Sequence, residues 1–114
     1  MVVNADHHGL YAFTLQARLT SLSAEARQFP LRAGFPEDAA TGVAASTLGA
    51  YLMQHRALGA WTSGMRRLTI GQGFAMKRPS SITVDVHVEG DGVVQTVVSG
   101  SAIIGTVTRV SIPA

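Results

Sequence analysis

A carboxylate, a hydroxyl and a glycine stand close together where a loop is predicted to enter a helix. Asp38 lies three residues before Thr41, and Gly42 follows Thr41 directly. The first amides of a helix have no partners within the helix, and the helix dipole makes them attractive to an anion. Thr41 offers a hydroxyl donor there, and Gly42 lets a ligand approach the backbone closely. This arrangement suits proton transfer by Asp38 beside a bound carboxylate.

The same residues have a second interpretation. Asp and Thr are common N-cap residues, whose side-chain oxygens accept hydrogen bonds from the first amides of a helix. Asp38 or Thr41 could therefore act only as a helix cap. On the residues alone both interpretations stay open: a cap that contributes to stability, or a site that binds a small acid.

One helix and several strands are predicted to position this loop. Residues 43–56 (VAASTLGAYLMQHR) lack Pro and carry no charge in their first three turns, which is typical of a helix buried on all sides. Residues 20–26 form a polar connection. Pro30 makes the segment 27–32 an edge strand or an extended segment. Strands are predicted by alternation over residues 9–19, 65–71, 81–89, 93–99 and 102–112.

The architecture follows from the helix. A helix that is apolar all round needs cover on every side, and one helix cannot cover both faces of a flat sheet. In the strand 81–89, Ile82, Val84, Val86 and Val88 are predicted to face inward. We therefore predict an α+β fold in which a curled mixed β-sheet of about six strands surrounds one central buried helix. The 114 residues are expected to form a single domain.

The composition excludes several kinds of protein. Only 14% of the residues are charged while 46% are hydrophobic, which suggests a surface partly covered by a partner. The basic residues are scattered, so no nucleic-acid binding is expected. The sequence has no cysteine, which excludes disulfides and thiol catalysis. The apolar run 39–53 is too short and too rich in Gly, Ser and Thr for a membrane span.

No metal or cofactor is expected. The neighbouring His7 and His8 are interpreted as a solvated tail rather than as metal ligands. Residues 1–8 are polar and do not have the pattern of a signal peptide. The simplest interpretation is a cytoplasmic protein.

Four ordered segments resemble the PhzF-like family of the diaminopimelate epimerase-like superfamily. Residues 34–45 (GFPEDAATGVAA), followed by LGAYL, are similar to its GxxEDPATGSAA…LAxYL signature. Upstream, Arg27 and Phe29 match its R-x-F. Downstream, residues 70–80 (IGQGFAMKRPS) are similar to its I-x-QG-x-x-MGRPS segment. Residues 82–88 and 100–102 match its I-x-V-x-V strand and GGxAV pattern, so the resemblance covers nearly the whole chain.

The resemblance implies a fold, a reaction and site residues. Family members have two similar lobes, each a sheet curled around a helix, and the two helices direct their N-termini at a substrate between the lobes. The reaction that it implies is a cofactor-free isomerisation by proton movement, with a glutamate of the N-terminal lobe as main acid/base. Asp38 matches the family's Asp and is the expected catalytic residue. The expected substrate-binding residues are Thr41, Gly42, Val43, Gln72 and Gly73.

Three departures from the family pattern bear on these expectations. Ala39 replaces a Pro and Val43 replaces a Ser, which leaves the loop less rigid and removes a hydroxyl. Lys77 stands where the pattern has Gly. The whole chain, residues 1–114, is similar to the C-terminal lobe, and the N-terminal lobe with its glutamate is absent.

Two hypotheses for the function follow. The first is an isomerase lobe that binds a small carboxylate metabolite and assists proton transfer only when paired with a second lobe. That lobe would be a separate N-terminal lobe or a second copy in a two-fold homodimer, in which two Asp38 loops could share a proton. The second hypothesis is a non-catalytic domain, either structural or binding a small acid, left after loss of the partner lobe.

Overall fold

One helix and five strands make up the regular structure of residues 9–114. The computed structural model describes residues 9–114, so His7 and His8 lie outside the described residues. In chain order the elements are β1 (Leu10–Thr14), β2 (Ala24–Phe29), α1 (Gly42–Gln54), β3 (Gly64–Gln72), β4 (Ser80–Glu89) and β5 (Gly92–Ser99). The predicted α+β class with a mixed sheet and one helix is confirmed.

The strands form one sheet in which spatial order follows chain order, β1-β2-β3-β4-β5. Three of the four pairings are antiparallel, because short connections join those strands. The pairing of β2 with β3 is parallel, since the chain between them crosses over through α1. This crossover places the N-terminus of α1 beyond the C-terminal ends of the parallel strands β2 and β3.

The core lies between α1 and one face of the sheet. The predicted inward residues of β4 are confirmed, since Ile82, Val84, Val86 and Val88 are all buried. On α1 the buried residues are Ala45, Leu48, Gly49, Leu52 and Met53. Helix and sheet approach so closely at Gly49 that an added Cβ would lie 2.7 Å from Val84 Cγ1. The small residues of α1 therefore allow close packing on β4.

The prediction that the helix is buried on all sides is wrong for the described chain. Val43 is 83% exposed and Tyr51 is 51% exposed, and α1 packs mainly on β4 and β5. The described sheet covers one side of α1 and leaves the other side exposed. At 13 residues α1 is also too short to cross a membrane, and no other helix is present among residues 9–114.

The boundaries of β1 and β2 differ from the prediction. β1 ends at Thr14, so the predicted strand over residues 9–19 is too long. β2 begins at Ala24 and is an inner strand between β1 and β3, not an edge strand. Pro30 does not interrupt it, because the strand ends at Phe29. Ala24 and Ala26, which the sequence placed in a polar connection, are buried in the core. Alanine carries a weak strand signal, so the start of this strand was missed.

The predicted strand over residues 102–112 is wrong. Residues 100–114 have no regular secondary structure. Their large apolar side chains are almost fully exposed, at 98% for Ile103, 92% for Ile104 and 88% for Val107. Alternating apolar residues indicate that a segment could form a strand, but a strand forms only when it pairs with a neighbouring strand. We name residues 101–114 the C-terminal segment.

Candidate functional site

The loop before α1 is tied back onto the end of β2. Asp38 N–H donates to the Gln28 carbonyl at 3.0 Å, and the two residues form an antiparallel bridge. One residue earlier, the Glu37 carboxylate forms a bidentate ion pair with Arg27, with distances of 2.8 and 3.1 Å. This ion pair lowers the Glu37 pKa, chiefly through its hydrogen bonds with Arg27. The Arg27 guanidinium lies over the Phe29 ring, 4.9 Å from its centroid.

Gln72, the last residue of β3, holds the same loop from inside. Its side chain is 0% exposed. The Oε1 atom accepts from Thr41 N–H at 3.2 Å and from the Tyr11 hydroxyl at 3.0 Å. The Nε2 atom donates to the Asp38 carbonyl at 2.9 Å and to Thr41 Oγ1 at 3.0 Å. Four hydrogen bonds thus join β1, β3 and the loop.

Thr41 connects this buried amide to the Asp38 carboxylate. The Thr41 hydroxyl donates to Asp38 Oδ2 at 2.6 Å. Thr41 is the N-cap residue of α1 and has extended backbone angles, but its side chain makes no capping hydrogen bond. The interpretation of Thr41 as a simple cap is therefore wrong, because its hydroxyl bonds a carboxylate instead of a helix amide. Asp38 receives this hydroxyl and is half-buried.

The first turn of α1 offers backbone amides and no negative charge. The first hydrogen bond of the helix runs from Ala45 N–H to the Thr41 carbonyl. The amides of Gly42, Val43 and Ala44 therefore lie in the part of the helix that has no internal acceptor. No acidic residue lies in this turn. An anion placed there would meet three donors and the positive end of the dipole.

A cleft of about 540 Å³ opens beside this turn. Its wall includes Gly42, residues 79–82 of the β3–β4 connection and β4, and residues 98–101 at the end of β5. Four of the lining residues, Ser80, Ser81, Ser99 and Ser101, carry hydroxyls. The volume falls in the range of small-molecule sites, about 300–1,000 Å³. Asp38 is not one of the residues that line the cleft.

Gly73 is required by the packing of the chain itself. Its φ is +84°, and an added Cβ would lie 2.2 Å from the Arg78 carbonyl oxygen and 2.8 Å from that of Ala39. Ser80 strengthens the same junction, since its hydroxyl donates to the carbonyl of Ala39 at 2.9 Å and to that of Gln72 at 3.2 Å. The β3–β4 turn is thus packed directly against the loop.

The predicted site residues come together in two layers. Asp38, Thr41, Gly42 and Val43 form the partly exposed outer layer, while Gln72 and Gly73 are buried beneath it. Sequence reasoning missed Tyr11, whose hydroxyl completes the bonding of Gln72. Burial raises the pKa of Tyr11 to about 12. The alternation in β1 placed Tyr11 on a face of the strand, but no motif pointed to a polar role.

Comparison with known proteins identifies the class to which this fold and loop belong. The profile of the phenazine biosynthesis-like protein family, PhzC-PhzF, matches residues 1–107. The chain belongs to this PhzF-like family. It is also 31% identical over 97 residues to an uncharacterized isomerase of Clostridium acetobutylicum. That match covers 85% of this chain but only 32% of the relative, so the chain spans about a third of the relative's length.

Proposed function

We propose that the chain is one lobe of a PhzF-like isomerase, which binds a small carboxylate metabolite at the N-terminus of α1. The observation that carries this proposal is the loop geometry: a half-buried carboxylate, Asp38, is held by Thr41 directly before a helix turn with three available amides and no acid. Membership in a family that includes a protein named as an isomerase supports the reaction class.

Each residue has a distinct role in the proposed site. The amides of Gly42, Val43 and Ala44 bind the substrate carboxylate, and the open side of the turn receives the rest of the molecule. Asp38 acts as acid/base, because one of its oxygens accepts from Thr41 while the other remains to exchange a proton with the substrate. Glu37 is engaged by Arg27 and therefore serves to anchor the loop.

We further propose that a second lobe completes the site, as expected for a diaminopimelate epimerase-like arrangement. Two apolar surfaces of the chain support this. One is a groove of about 490 Å³ between β1 and α1, lined by Tyr11, Phe13, Ala44, Thr47, Leu48 and Tyr51. The other is the C-terminal segment. A second copy docked about a two-fold axis, or a separate N-terminal lobe, would cover such surfaces.

Binding can be tested with a matched pair of ligands. Titration calorimetry with 3-hydroxybenzoate and with 3-hydroxybenzamide compares a carboxylate with a neutral group of the same shape. Because the helix amides favour the anion, the benzoate is expected to bind at least about tenfold more tightly, a difference of about 1.4 kcal/mol. Equal affinities would contradict an anion site.

The role of Asp38 can be separated from a role in stability. Asp38→Asn keeps the shape of the side chain, so we expect the free energy of unfolding to fall by less than about 1 kcal/mol. Isomerase activity, assayed with the completing lobe present, is expected to fall at least about a hundredfold, the usual contribution of an acid/base group. Equal loss of stability and activity would mean that Asp38 is structural.

A second candidate is a binding domain without catalysis, favoured by the absence of Asp38 from the lining of the cleft beside the helix turn. It would share the carboxylate site but would not need a second lobe. Static light scattering at micromolar concentration tests whether a second copy completes the site. A dimer is expected for the isomerase lobe acting with a second copy, whereas a stable monomer that still binds 3-hydroxybenzoate would favour the binding domain or a separate N-terminal lobe as partner.

A further inference from the structure

The orientation of the Gln72 side-chain amide is fixed by two backbone groups. Its Oε1 atom faces the Thr41 N–H, and its Nε2 atom faces the Asp38 carbonyl. A backbone N–H can only donate and a carbonyl can only accept. If the amide were turned over, its NH₂ group would face the Thr41 N–H, and its oxygen would face the Asp38 carbonyl. Neither pair could form a hydrogen bond. One orientation alone satisfies both groups.

This orientation sets the direction of the Thr41 hydroxyl. Nε2 of Gln72 donates to Thr41 Oγ1 at 3.0 Å, so that oxygen acts as an acceptor toward Gln72. The hydroxyl proton then points to Asp38 Oδ2 at 2.6 Å. An ionised carboxylate has no proton to donate in return. The hydrogen-bond chain therefore runs one way, from Gln72 through Thr41 to Asp38.

Gln72 has no hydrogen-bonding capacity left for a ligand. Both Nε2 protons are used, by the Asp38 carbonyl and Thr41 Oγ1. Both lone-pair directions of Oε1 are used, by the Thr41 N–H and the Tyr11 hydroxyl. The side chain is also 0% exposed. The Gln72 side chain can therefore affect a bound ligand only through the residues to which it is hydrogen-bonded.

We propose that Gln72 is the positioning residue of the site, acting through the Thr41 hydroxyl on Asp38. The inference rests on the proposed function of Asp38. It assigns the Thr41 hydroxyl to Asp38 and not to the ligand, which leaves the ligand carboxylate to the amides of Gly42, Val43 and Ala44. Gln72 and Thr41 then determine which Asp38 oxygen is free to exchange a proton.

Ser80 provides a matched control for loop stability. Its hydroxyl bonds the backbone carbonyls of Ala39 at 2.9 Å and of Gln72 at 3.2 Å, but it bonds neither Thr41 nor the Gln72 side-chain amide. Ser80→Ala therefore loosens the loop without releasing the Thr41 hydroxyl. Gln72→Met keeps a similar side-chain volume and removes all four hydrogen bonds. A difference between these two variants reports positioning rather than general loosening.

The Thr41 hydroxyl proton is the direct readout. A hydroxyl held between an amide and a carboxylate exchanges slowly, so we expect its proton NMR signal in the wild-type chain and in Ser80→Ala. In Gln72→Met the signal is expected to disappear while circular dichroism shows a folded chain. A signal retained in Gln72→Met, or lost equally in Ser80→Ala, would overturn the proposal.

The wild-type chain gives a test that does not depend on any variant folding. Nuclear Overhauser contacts from the Gln72 Nε2 protons are expected to be stronger to the Thr41 hydroxyl proton than to the Tyr11 hydroxyl proton. Stronger contacts to Tyr11 would mean the opposite amide orientation and would overturn the one-way chain.

A ligand titration separates this inference from the proposed function. Because the helix amides bind the ligand carboxylate, the Kd for 3-hydroxybenzoate is expected to change at most about twofold in Gln72→Met. Isomerase activity with the completing lobe present is expected to fall at least about tenfold in this variant, because the Asp38 carboxylate loses its orientation. In a Thr41→Val background, Gln72→Met is expected to lower activity at most about twofold further, because the hydroxyl that joins Gln72 to the Asp38 carboxylate is already gone. Independent, additive effects would overturn the positioning role. If the wild-type chain does not bind 3-hydroxybenzoate, the proposed function fails. The NMR signal of the Thr41 hydroxyl still tests the hydrogen-bond chain in that case.

Discussion

Two segments without regular structure, the loop at residues 33–41 and the C-terminal segment, differ sharply in how they are held. The second half of the loop is held by a backbone hydrogen bond to Gln28, by an ion pair with Arg27 and by the buried amide of Gln72. The C-terminal segment keeps its large apolar residues 77–98% exposed. The chain thus builds the acidic loop by itself, while the C-terminal segment has the character of a strand that another surface would complete.

The largest effect is expected where the loop meets the β3–β4 turn. In Gly73→Ala the new Cβ would collide with backbone carbonyls of Arg78 and Ala39 at a φ of +84°. We expect the free energy of unfolding to fall by at least about 3 kcal/mol, measured by urea denaturation. Gly59 is the control, because its φ is +98° but no atom lies within 4 Å of an added Cβ. Gly59→Ala is expected to lose only about 1 kcal/mol, and equal losses would contradict the packing argument.

The C-terminal segment is expected to affect association and not folding. The side chains of Ile104 and Val107 are 92% and 88% exposed, so changing both to Ser should alter monomer stability by less than about 0.5 kcal/mol. The dissociation constant of the proposed homodimer, from analytical ultracentrifugation, is expected to rise at least about tenfold, since apolar contact area is lost. Unchanged association would show that this segment is not part of the partner surface.

High pH should weaken the attachment of the loop through Tyr11. Burial raises the pKa of this phenol from 10.0 to about 12. The folded chain therefore keeps a proton that the unfolded chain loses, and the Tyr11 contribution to stability, complete below pH 10.0, is lost as the pH rises toward about 12. Urea denaturation of wild type and Tyr11→Phe at several pH values in this range measures the difference. Parallel pH dependence of the two chains would contradict it.

The smallest effect is expected at Lys77, which stands where the family pattern that the sequence resembles has Gly. Lys77 has a φ of 57°, in the left-handed region, so the structure explains why Gly suits this position. Lys77→Gly is expected to raise the free energy of unfolding by about 0.5–1 kcal/mol. Arg56 has a similar φ of 54°, but its guanidinium lies over the Trp61 ring. Arg56→Gly should therefore gain less, and a larger gain there would contradict this account.

The sequence alone predicted β4, α1 and the loop before α1, because each depends on residues close together in the chain. The alternation of Ile82 to Val88 gave β4 and its inward face, and the uncharged run after Gly42 gave α1. The order of Asp38, Thr41 and Gly42 located the loop. These signals suffice because strand period, helix propensity and loop residues act over a few positions.

Features that depend on pairing between distant segments were not predictable in this way. Gln72 is buried and bonded because β3 ends between Ala26 on β2 and Ser80 on β4, a register that no local pattern contains. The role of Tyr11 depends on the same register. The wrong prediction of a strand over residues 102–112 has a different origin: the residues alternate as in a strand, but no described strand pairs with them.

The central claim is that the loop and the first turn of α1 form a carboxylate site within this chain. The most direct measurement is a titration of the ¹⁵N-labelled wild-type chain with 3-hydroxybenzoate, followed by the amide shifts of every assigned residue. We expect the largest saturable shifts at Gly42, Val43 and Ala44, with a smaller shift at Asp38. Shifts confined to residues far from this turn, or no saturable shift there, would contradict the claim.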